Sequence, residues 1–329
     1  MTRIDSLHKA TLSKDRCFLC GIKLDSNNRT VEHIIPKWVQ KEFNLWDEKI
    51  TLLNSTTISY RNLTVPCCRN CNNNHLNRKI ESKMKKAFSE GVNSIKSLDS
   101  DIVFLWLNKI SYAILYKEMY LNRNLKSSSN RKIYTKKEML KRNIQFIMTQ
   151  AIRYPTEFVG KPYSLFIFEL MPEFCDSFDY RDDIICSCVL IKLNNIGIIA
   201  NIGDNGLMYE FDKETNGIGR FQQEILHPIQ FYELYARLFA KSYTITKVPF
   251  YTIIYSGDDD KEMHIICRPR TGNVFEDGYA GMFTYVLSIL LMKFGWTYKD
   301  LSKYEDRLIT FIENEDGSFK TEDQLIHYL

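Results

Sequence analysis

The sequence predicts an α+β fold, in which a small cysteine-rich module comes first, a helical segment follows and a mixed α+β domain ends the chain. Three observations predict it. Two Cys-x-x-Cys pairs lie among the first 71 residues, apolar residues recur at helical spacing from residue 101, and short β-branched runs follow Pro155. The chain has 329 residues, 44% of them hydrophobic, which is sufficient for more than one domain. We therefore expect domains at 1–95, 96–155 and 156–329.

The first predicted domain contains the pairs Cys17-Phe-Leu-Cys20 and Cys68-Arg-Asn-Cys71. Two such knuckles present four thiolates, which is a common ligand set of a structural Zn²⁺. The N-terminus lacks the apolar stretch of a secretory signal, so we expect a cytoplasmic protein whose thiols stay reduced and bind metal. Cys67 is an alternative third ligand beside Cys68, although the Cys-x-x-Cys spacing favours Cys68.

The second predicted domain is helical. Apolar residues recur at three- and four-residue spacing over 101–121, which predicts a helix in the core or at a dimer seam and leaves a homodimer open. The polar stretch 122–132 is typical of a loop. Thr135 and Glu138 then form a capping-box pattern, which predicts a basic amphipathic helix over 136–152.

The third predicted domain mixes strands and helices. Strands are predicted at 164–171, 184–193, 196–203, 206–211, 250–256 and 263–270, and helices at 230–243, 279–294 and 299–313. The acidic stretches 178–183 and 256–262 are interpreted as a turn and a hairpin tip. Ordinary core positions are expected for the remaining cysteines, Cys175, Cys186, Cys188 and Cys267. This part of the sequence carries no motif that indicates a particular reaction or ligand, and its apolar runs are too short to cross a bilayer.

Charge is divided unevenly along the chain. Residues 1–155 carry 28 Lys+Arg against 13 Asp+Glu, whereas residues 156–329 carry 16 against 27. Basic charge concentrated in one part is the electrostatic pattern expected for polyanion binding. A solvated surface with a chance asymmetry would give the same totals, so charge alone favours a nucleic acid as partner only weakly.

Between and after the cysteine pairs lie the segments VEHIIPKW at 31–38, RNLTVP at 61–66 and CNNNH at 71–75. The arrangement CxxCG…EHIIPKW…NLxVPxCxxCN resembles the HNH (ββα-metal) endonuclease family in its zinc-knuckle form. The resemblance covers about residues 15–82, and the C-terminal part resembles no domain that we recognise. It implies a ββα-metal module that hydrolyses DNA to leave a 5′-phosphate and a 3′-hydroxyl, with RNA left open, in a bacterial or phage defence setting.

The resemblance implies a role for each polar residue of these segments. His33 would be the general base that activates water, which suits a neutral imidazole near pH 7. Glu32 and Asn72 would supply oxygen ligands for Mg²⁺ or another divalent cation on the scissile phosphate. Asn62 would steady the catalytic loop and the base, although it lies one residue further from Asn72 than is usual in the family. His75 would be a second ligand of this cation or a phosphate contact.

Basic residues continue along the helix expected after the second cysteine pair. They are expected to contact the DNA backbone: Lys79, Lys83, Lys85 and Lys86.

Plainer interpretations of the motif residues exist, because a histidine beside two isoleucines suits a core position and Glu32 suits an exposed surface. Pro36 and Trp38 are expected to be structural. The alternative function is a zinc-knuckle nucleic-acid-binding protein without catalysis. A third hypothesis adds that the acidic C-terminal part holds a basic nuclease inactive through charge complementarity.

Overall fold

The computed structural model describes most of the chain and divides it into two compact units. The described residues are 3–123, 132–174, 178–215, 217–246, 250–256, 262–268, 272–302 and 309–325. The N-terminal unit comprises Met1–Glu157 with Ile254–His264, and the C-terminal unit comprises Phe158–Ile253 with Ile265–Leu329. Helices and strands occur in both units, which confirms the predicted α+β class.

The first part of the chain is mainly helical, with short strands. Its helices are α1 (Arg3–Thr11), α2 (Lys37–Glu42), α3 (Ser82–Glu90), α4 (Val92–Ser97), α5 (Ser100–Glu118), α6 (Lys136–Lys141) and α7 (Asn143–Gln150). Its strands are β1 (Arg29–His33), β2 (Lys49–Thr51), β3 (Thr57–Ser59) and β4 (Thr64–Cys68). A 3₁₀ turn occupies Tyr60–Asn62 and a π-helix occupies Cys71–Glu81.

The later part of the chain contains longer strands. These are β5 (Thr156–Val159), β6 (Ser164–Leu170), β7 (Phe178–Asp183), β8 (Cys188–Leu193), β9 (Ile196–Asn201), β10 (Ile225–Leu226), β11 (Tyr251–Ser256) and β12 (Glu262–Cys267). The helices are α8 (Leu207–Thr215), α9 (Pro228–Tyr243), α10 (Tyr279–Leu291), α11 (Tyr298–Ser302) and α12 (Glu322–Leu325). Short 3₁₀ helices occupy Pro172–Phe174, Ile218–Gln223 and Met292–Phe294.

Strands β1 and β4 form an antiparallel pair that joins distant parts of the sequence. Arg29 pairs with Cys68, and His33 pairs with Thr64. The π-helix Cys71–Glu81 follows β4 after two residues and continues into α3 without a break. The second cysteine pair therefore lies at the junction between a strand and a helix.

Helix α5 forms the core of the N-terminal unit. Every residue from Val103 to Tyr116 is buried, so all faces of the helix are covered, as an apolar sequence without a polar stripe requires. Asp99 caps its first turn by accepting a hydrogen bond from the backbone N–H of Asp101. The helix predicted at 101–121 is confirmed.

A five-stranded sheet, in the order β10-β6-β9-β8-β7, is the base of the C-terminal unit. The predicted hairpin between β8 and β9 is confirmed, with Asn194 in the left-handed region at φ 51°. Helices α9 and α10 pack in the core cluster on this sheet. Gly197 faces the ring of Phe231, where an added Cβ would lie 2.5 Å from a ring carbon, so this position requires glycine.

Several predicted elements need correction. Residues 206–211 begin helix α8 instead of a strand, because the Asp204 carboxylate accepts hydrogen bonds from the backbone N–H groups of Gly206 and Met208 and so starts a helix. Residues 178–183 form the edge strand β7 instead of a turn, since they pair with β8 along their whole length. The predicted capping box of Thr135 is confirmed, but the helix after it divides into α6 and α7 at Arg142.

The last predicted helix is shorter than expected. Helix α11 ends at Ser302, residues 303–308 lie outside the described part, and residues 309–313 are not helical. The hairpin tip at 257–261, the loop at 124–131 and Cys175 also lie outside the described residues. The other three cysteines of the third predicted domain are buried, as predicted. None of the described helices has the length and apolarity needed to cross a membrane.

Candidate functional site

Four cysteine side chains converge where the predicted knuckles meet. The Sγ atoms of Cys17, Cys20, Cys68 and Cys71 all lie within 4.8 Å of one another. The Sγ atoms of Cys20 and Cys68 are 3.7 Å apart, close to the ~3.8 Å expected for two thiolates on one tetrahedral Zn²⁺ with Zn–S bonds of about 2.3 Å. The four thiols therefore fit a metal ion such as zinc.

Local backbone geometry presents these thiols. Gly21 adopts φ 69° and donates its backbone N–H to the carbonyl of Cys17, which closes the first knuckle. At the second knuckle, the backbone N–H of Cys71 donates to Cys68 Sγ at 3.4 Å. Thiol hydrogen bonds from Cys20, Cys67 and Cys71 lower the pKa of Cys17.

Cys67 lies close to this group without belonging to it. Its Sγ atom is 3.9 Å from that of Cys17, yet the four mutually close sulfurs include Cys68 instead. Strand β4 therefore contributes only one of its two thiols to the group of four mutually close sulfurs. The preference for Cys68, predicted from spacing, agrees with this geometry.

A cavity of about 290 Å³ opens beside His33, the last residue of β1. It is lined by Glu32, His33, Pro36, Lys37, Trp38, Asn72, Asn73, Asn77, Glu81 and Lys85. The imidazole of His33 stacks on Trp46 with ring centroids 5.8 Å apart. Burial lowers the pKa of His33 to about 4, and the charge of Lys37 adds to the effect. His33 is therefore neutral at pH 7 and able to accept a proton.

Glu32 is almost fully buried at the cavity wall and is bound by a lysine that sequence reasoning missed. The ammonium group of Lys109, on α5, donates to Glu32 Oε1 at 2.9 Å, to Glu81 Oε1 at 2.7 Å and to the carbonyl of Ile34 at 3.2 Å. The Lys109 side chain has no exposed surface. Burial raises the pKa of Glu32 against the opposing charge of Lys109, whereas the two carboxylates outweigh burial and raise the pKa of Lys109, which keeps its ammonium charged.

The π-helix determines which of its residues face His33. Asn72 donates its amide to the carbonyl of Val31 at 2.9 Å, which leaves its Oδ1 as the atom for a cation. Asn73, Asn77 and Glu81 follow at four-residue intervals along the cavity, with Lys85 continuing the row in α3. Carboxamide and carboxylate oxygens are the ligands that a hard divalent cation prefers.

His75 and Lys79 lie away from this cavity. The ring of His75 is half-buried, and its pKa is lowered by burial and by the charges of Lys79 and Arg153. Lys79 donates to the carbonyl of Arg153 at 3.1 Å. His75, predicted as a second ligand or a phosphate contact, and Lys79, predicted as a DNA-backbone contact, are not among the residues that line the cavity.

The remaining predicted residues lie outside the cavity lining, except for Lys85. Asn62 is exposed, donates to Ser59 Oγ at 2.9 Å and accepts a hydrogen bond from Lys117 through its carbonyl. Lys86 pairs with Glu90 at 3.8 Å, and Lys83 is exposed. Trp38, predicted to be structural, packs its ring against Phe88 and Trp106.

Polar residues of the site that sequence reasoning did not assign are Lys37, Asn77, Glu81 and Lys109. Lys109 could have been found from the sequence, because a lysine within the otherwise apolar run of α5 implies a buried partner of opposite charge. Asn77 and Glu81 could have been found because they follow Asn73 at four-residue intervals, which places them on one face of a helix. No family model, curated protein or solved structure matches this chain, so function rests on the geometry of the site.

Proposed function

We propose that this protein is a metal-dependent endonuclease of the HNH (ββα-metal) type that hydrolyses DNA phosphodiester bonds. The observation that carries the proposal is the cavity beside His33, where a neutral imidazole, carboxamide oxygens and two lysines converge. The antiparallel pair β1–β4 and the helix after it, joined by a cysteine cluster suited to zinc, support assignment of a ββα-metal module.

The chain's own groups supply most of the proposed chemistry. His33 accepts a proton from the attacking water, and stacking on Trp46 holds its ring plane. Lys37 and Lys85 line the cavity and attract the phosphate. A divalent cation held by the oxygens of Asn72 and Glu32, once bound, would polarise the scissile phosphate and stabilise the leaving oxygen.

Cleavage of supercoiled plasmid tests the proposal. Wild-type protein and His33→Ala are incubated with EDTA, Mg²⁺, Mn²⁺ or Ni²⁺, and bound zinc is measured on both. We expect cation-dependent nicking by the wild type, a loss of at least about 100-fold in His33→Ala and about one zinc per chain in both. His264→Ala, which changes a histidine outside the cavity, controls for nonspecific effects. Equal nicking by wild type and His33→Ala would overturn the role of His33.

A second candidate is a zinc-knuckle nucleic-acid-binding protein without catalysis. The observation that favours it is the ion pair of Lys109 with both Glu32 and Glu81, which occupies the two carboxylates that line the cavity. This candidate predicts DNA binding without cleavage in any of the four conditions. Binding of labelled DNA to the same two proteins, with retained zinc, separates the candidates.

A further inference from the structure

A second cavity, of about 310 Å³, lies within the C-terminal unit and is independent of the proposed nuclease site. Helices α8 and α9 form its sides, and the first residue of α10 closes one end. Its walls are largely apolar and include Met208, Phe211, Ile218, Leu238 and Tyr279. The volume is at the lower end of the range for small-molecule sites and suits about 10–15 non-hydrogen atoms.

Two of the charged groups in this cavity are already neutralised or bonded. Arg237 donates to Glu233 at 2.6 Å and to Glu313 at 2.9 Å, so two carboxylates balance its guanidinium. Asp212 accepts hydrogen bonds from the backbone N–H of Gly219 at 3.0 and 3.2 Å, which makes it part of the turn after α8. Neither group needs a ligand to complete its contacts.

Lys241 differs from these groups. Its ammonium lies 4.4 Å from the ring centroid of Phe211 and 3.9 Å from that of Phe275. Across the described residues, no carboxylate forms an ion pair with it. Cation–π contacts hold the ammonium in position but leave its charge without an anionic partner. Burial lowers the pKa of Lys241, as expected for a cation that has lost water and gained no counter-ion.

We propose that this cavity binds a small organic anion whose aromatic body packs on Phe211 and Tyr279 and whose carboxylate pairs with Lys241. The apolar walls provide the driving force, because they remove the ligand body from water. Lys241 provides the selectivity for a negative charge, since a fixed ammonium beside a low-dielectric wall interacts more strongly with an anion than one in open solvent. Aromatic walls favour an aromatic body through edge and face contacts.

Two probes that differ only in charge test the proposal on the intact chain. Indole-3-acetate carries one carboxylate on an aromatic body, and indole-3-acetamide is its neutral counterpart. By titration calorimetry we expect the acetate to bind at least about tenfold more tightly than the amide. Lys241→Met should reduce acetate affinity to the level of the amide, whereas Lys299→Met, at an exposed lysine on α11, should leave it unchanged.

A second variant tests the location. Thr215 is exposed at the rim of the cavity, so Thr215→Trp is expected to fold, to narrow the entrance and to weaken both probes by about tenfold or more. Thermal melts confirm that each variant is folded. Absence of acetate binding to the wild type, equal affinities for the two probes, or unchanged acetate binding in folded Lys241→Met would each overturn the proposal.

Discussion

Lys109 is fully buried, and its ammonium group donates to Glu32, to Glu81 and to one backbone carbonyl. Lys109→Met keeps the length of the side chain and removes the charge, which leaves the two carboxylates without a cation. Removing one partner from a buried ion pair typically costs about 3–5 kcal/mol. We expect a decrease of this size in the free energy of unfolding, measured by urea denaturation.

The exposed Lys83 supplies a matched control for this change. Lys83→Met should alter the free energy of unfolding by no more than about 0.5 kcal/mol. Adding Glu32→Gln to Lys109→Met should restore part of the lost stability, because it removes one of the two unpaired charges. A loss below about 1 kcal/mol in Lys109→Met would mean that the ammonium is not needed to balance the carboxylates.

Cys67 and Cys68 are neighbours in sequence with different expected roles. Only Cys68 belongs to the group of four close sulfurs, while Cys67 is a buried thiol near Cys17. We expect Cys68→Ser to lower bound zinc from about one per chain to near zero, and Cys67→Ser to retain it. Metal analysis of the purified variants measures the bound zinc. Loss of zinc in Cys67→Ser but not in Cys68→Ser would mean that Cys67, and not Cys68, is the zinc ligand.

Residues that belong to a recognisable motif were predictable from the sequence, and residues brought together only by packing were not. The four clustered cysteines followed from two Cys-x-x-Cys pairs, and the resemblance to the HNH family implied that His33 and Asn72 share a site. The contact between Lys109 and Glu32 spans 77 positions and depends on where α5 packs. No local pattern encodes such a distance.

At the level of elements, the helix after the second cysteine pair was predicted but its periodicity was not. The sequence indicated a helix that carries His75 and Lys79 but not its type. The structure has a π-helix over Cys71–Glu81, of which Asn72, Asn73, Asn77 and Glu81 line the cavity. Because π-helices are rare and arise from packing, sequence periodicity gives little warning of one.

Helix α3, which continues the π-helix, makes a prediction about two adjacent lysines. Lys85 lines the cavity beside His33, whereas Lys86 pairs with Glu90 outside it. In the His33→Ala background, Lys85→Met should weaken DNA binding and lower the slope of log affinity against log salt by about 1, as expected for one lost phosphate contact. Lys86→Met should change neither quantity. Fluorescence anisotropy over a salt series measures both, and a larger effect at Lys86 would contradict the predicted face.

Helix α9 makes stability depend on pH through its N-cap. His227 is buried and its Nδ1 accepts a hydrogen bond from the backbone N–H of Ile229 at 3.2 Å. Burial lowers its pKa from 6.5 to about 4. Between these values the unfolded chain binds the extra proton, so the free energy of unfolding falls as pH drops from 6.5 towards 4.

We expect His227 to contribute about 1–3 kcal/mol to this fall. His227→Asn keeps an N-cap acceptor and removes the titrating ring, so the decrease between pH 6.5 and 4 should shrink in the variant. Urea denaturation at several pH values measures the difference. Parallel pH profiles for the two proteins would show that His227 is not the group responsible.

At the scale of the whole molecule, the charge asymmetry follows the structural division. The N-terminal unit carries 29 Lys+Arg against 18 Asp+Glu, and the C-terminal unit carries 15 against 22. The sequence therefore indicated that two parts of opposite charge exist. It also predicted a domain boundary at residue 95, because the composition of the sequence changes near that point. In the structure, α5 belongs to the compact unit that contains His33.

This division predicts how fragments behave. A protein ending at residue 95 lacks Lys109, which balances Glu32 and Glu81, and Trp106, whose ring packs on Trp38. We expect residues 1–95 to bind zinc without a cooperative thermal transition, whereas residues 1–157 bind zinc and unfold cooperatively. Circular dichroism melts of the two fragments measure this. Cooperative melting of both at the same temperature would mean that the hairpin, the knuckles and the π-helix are stable without α5.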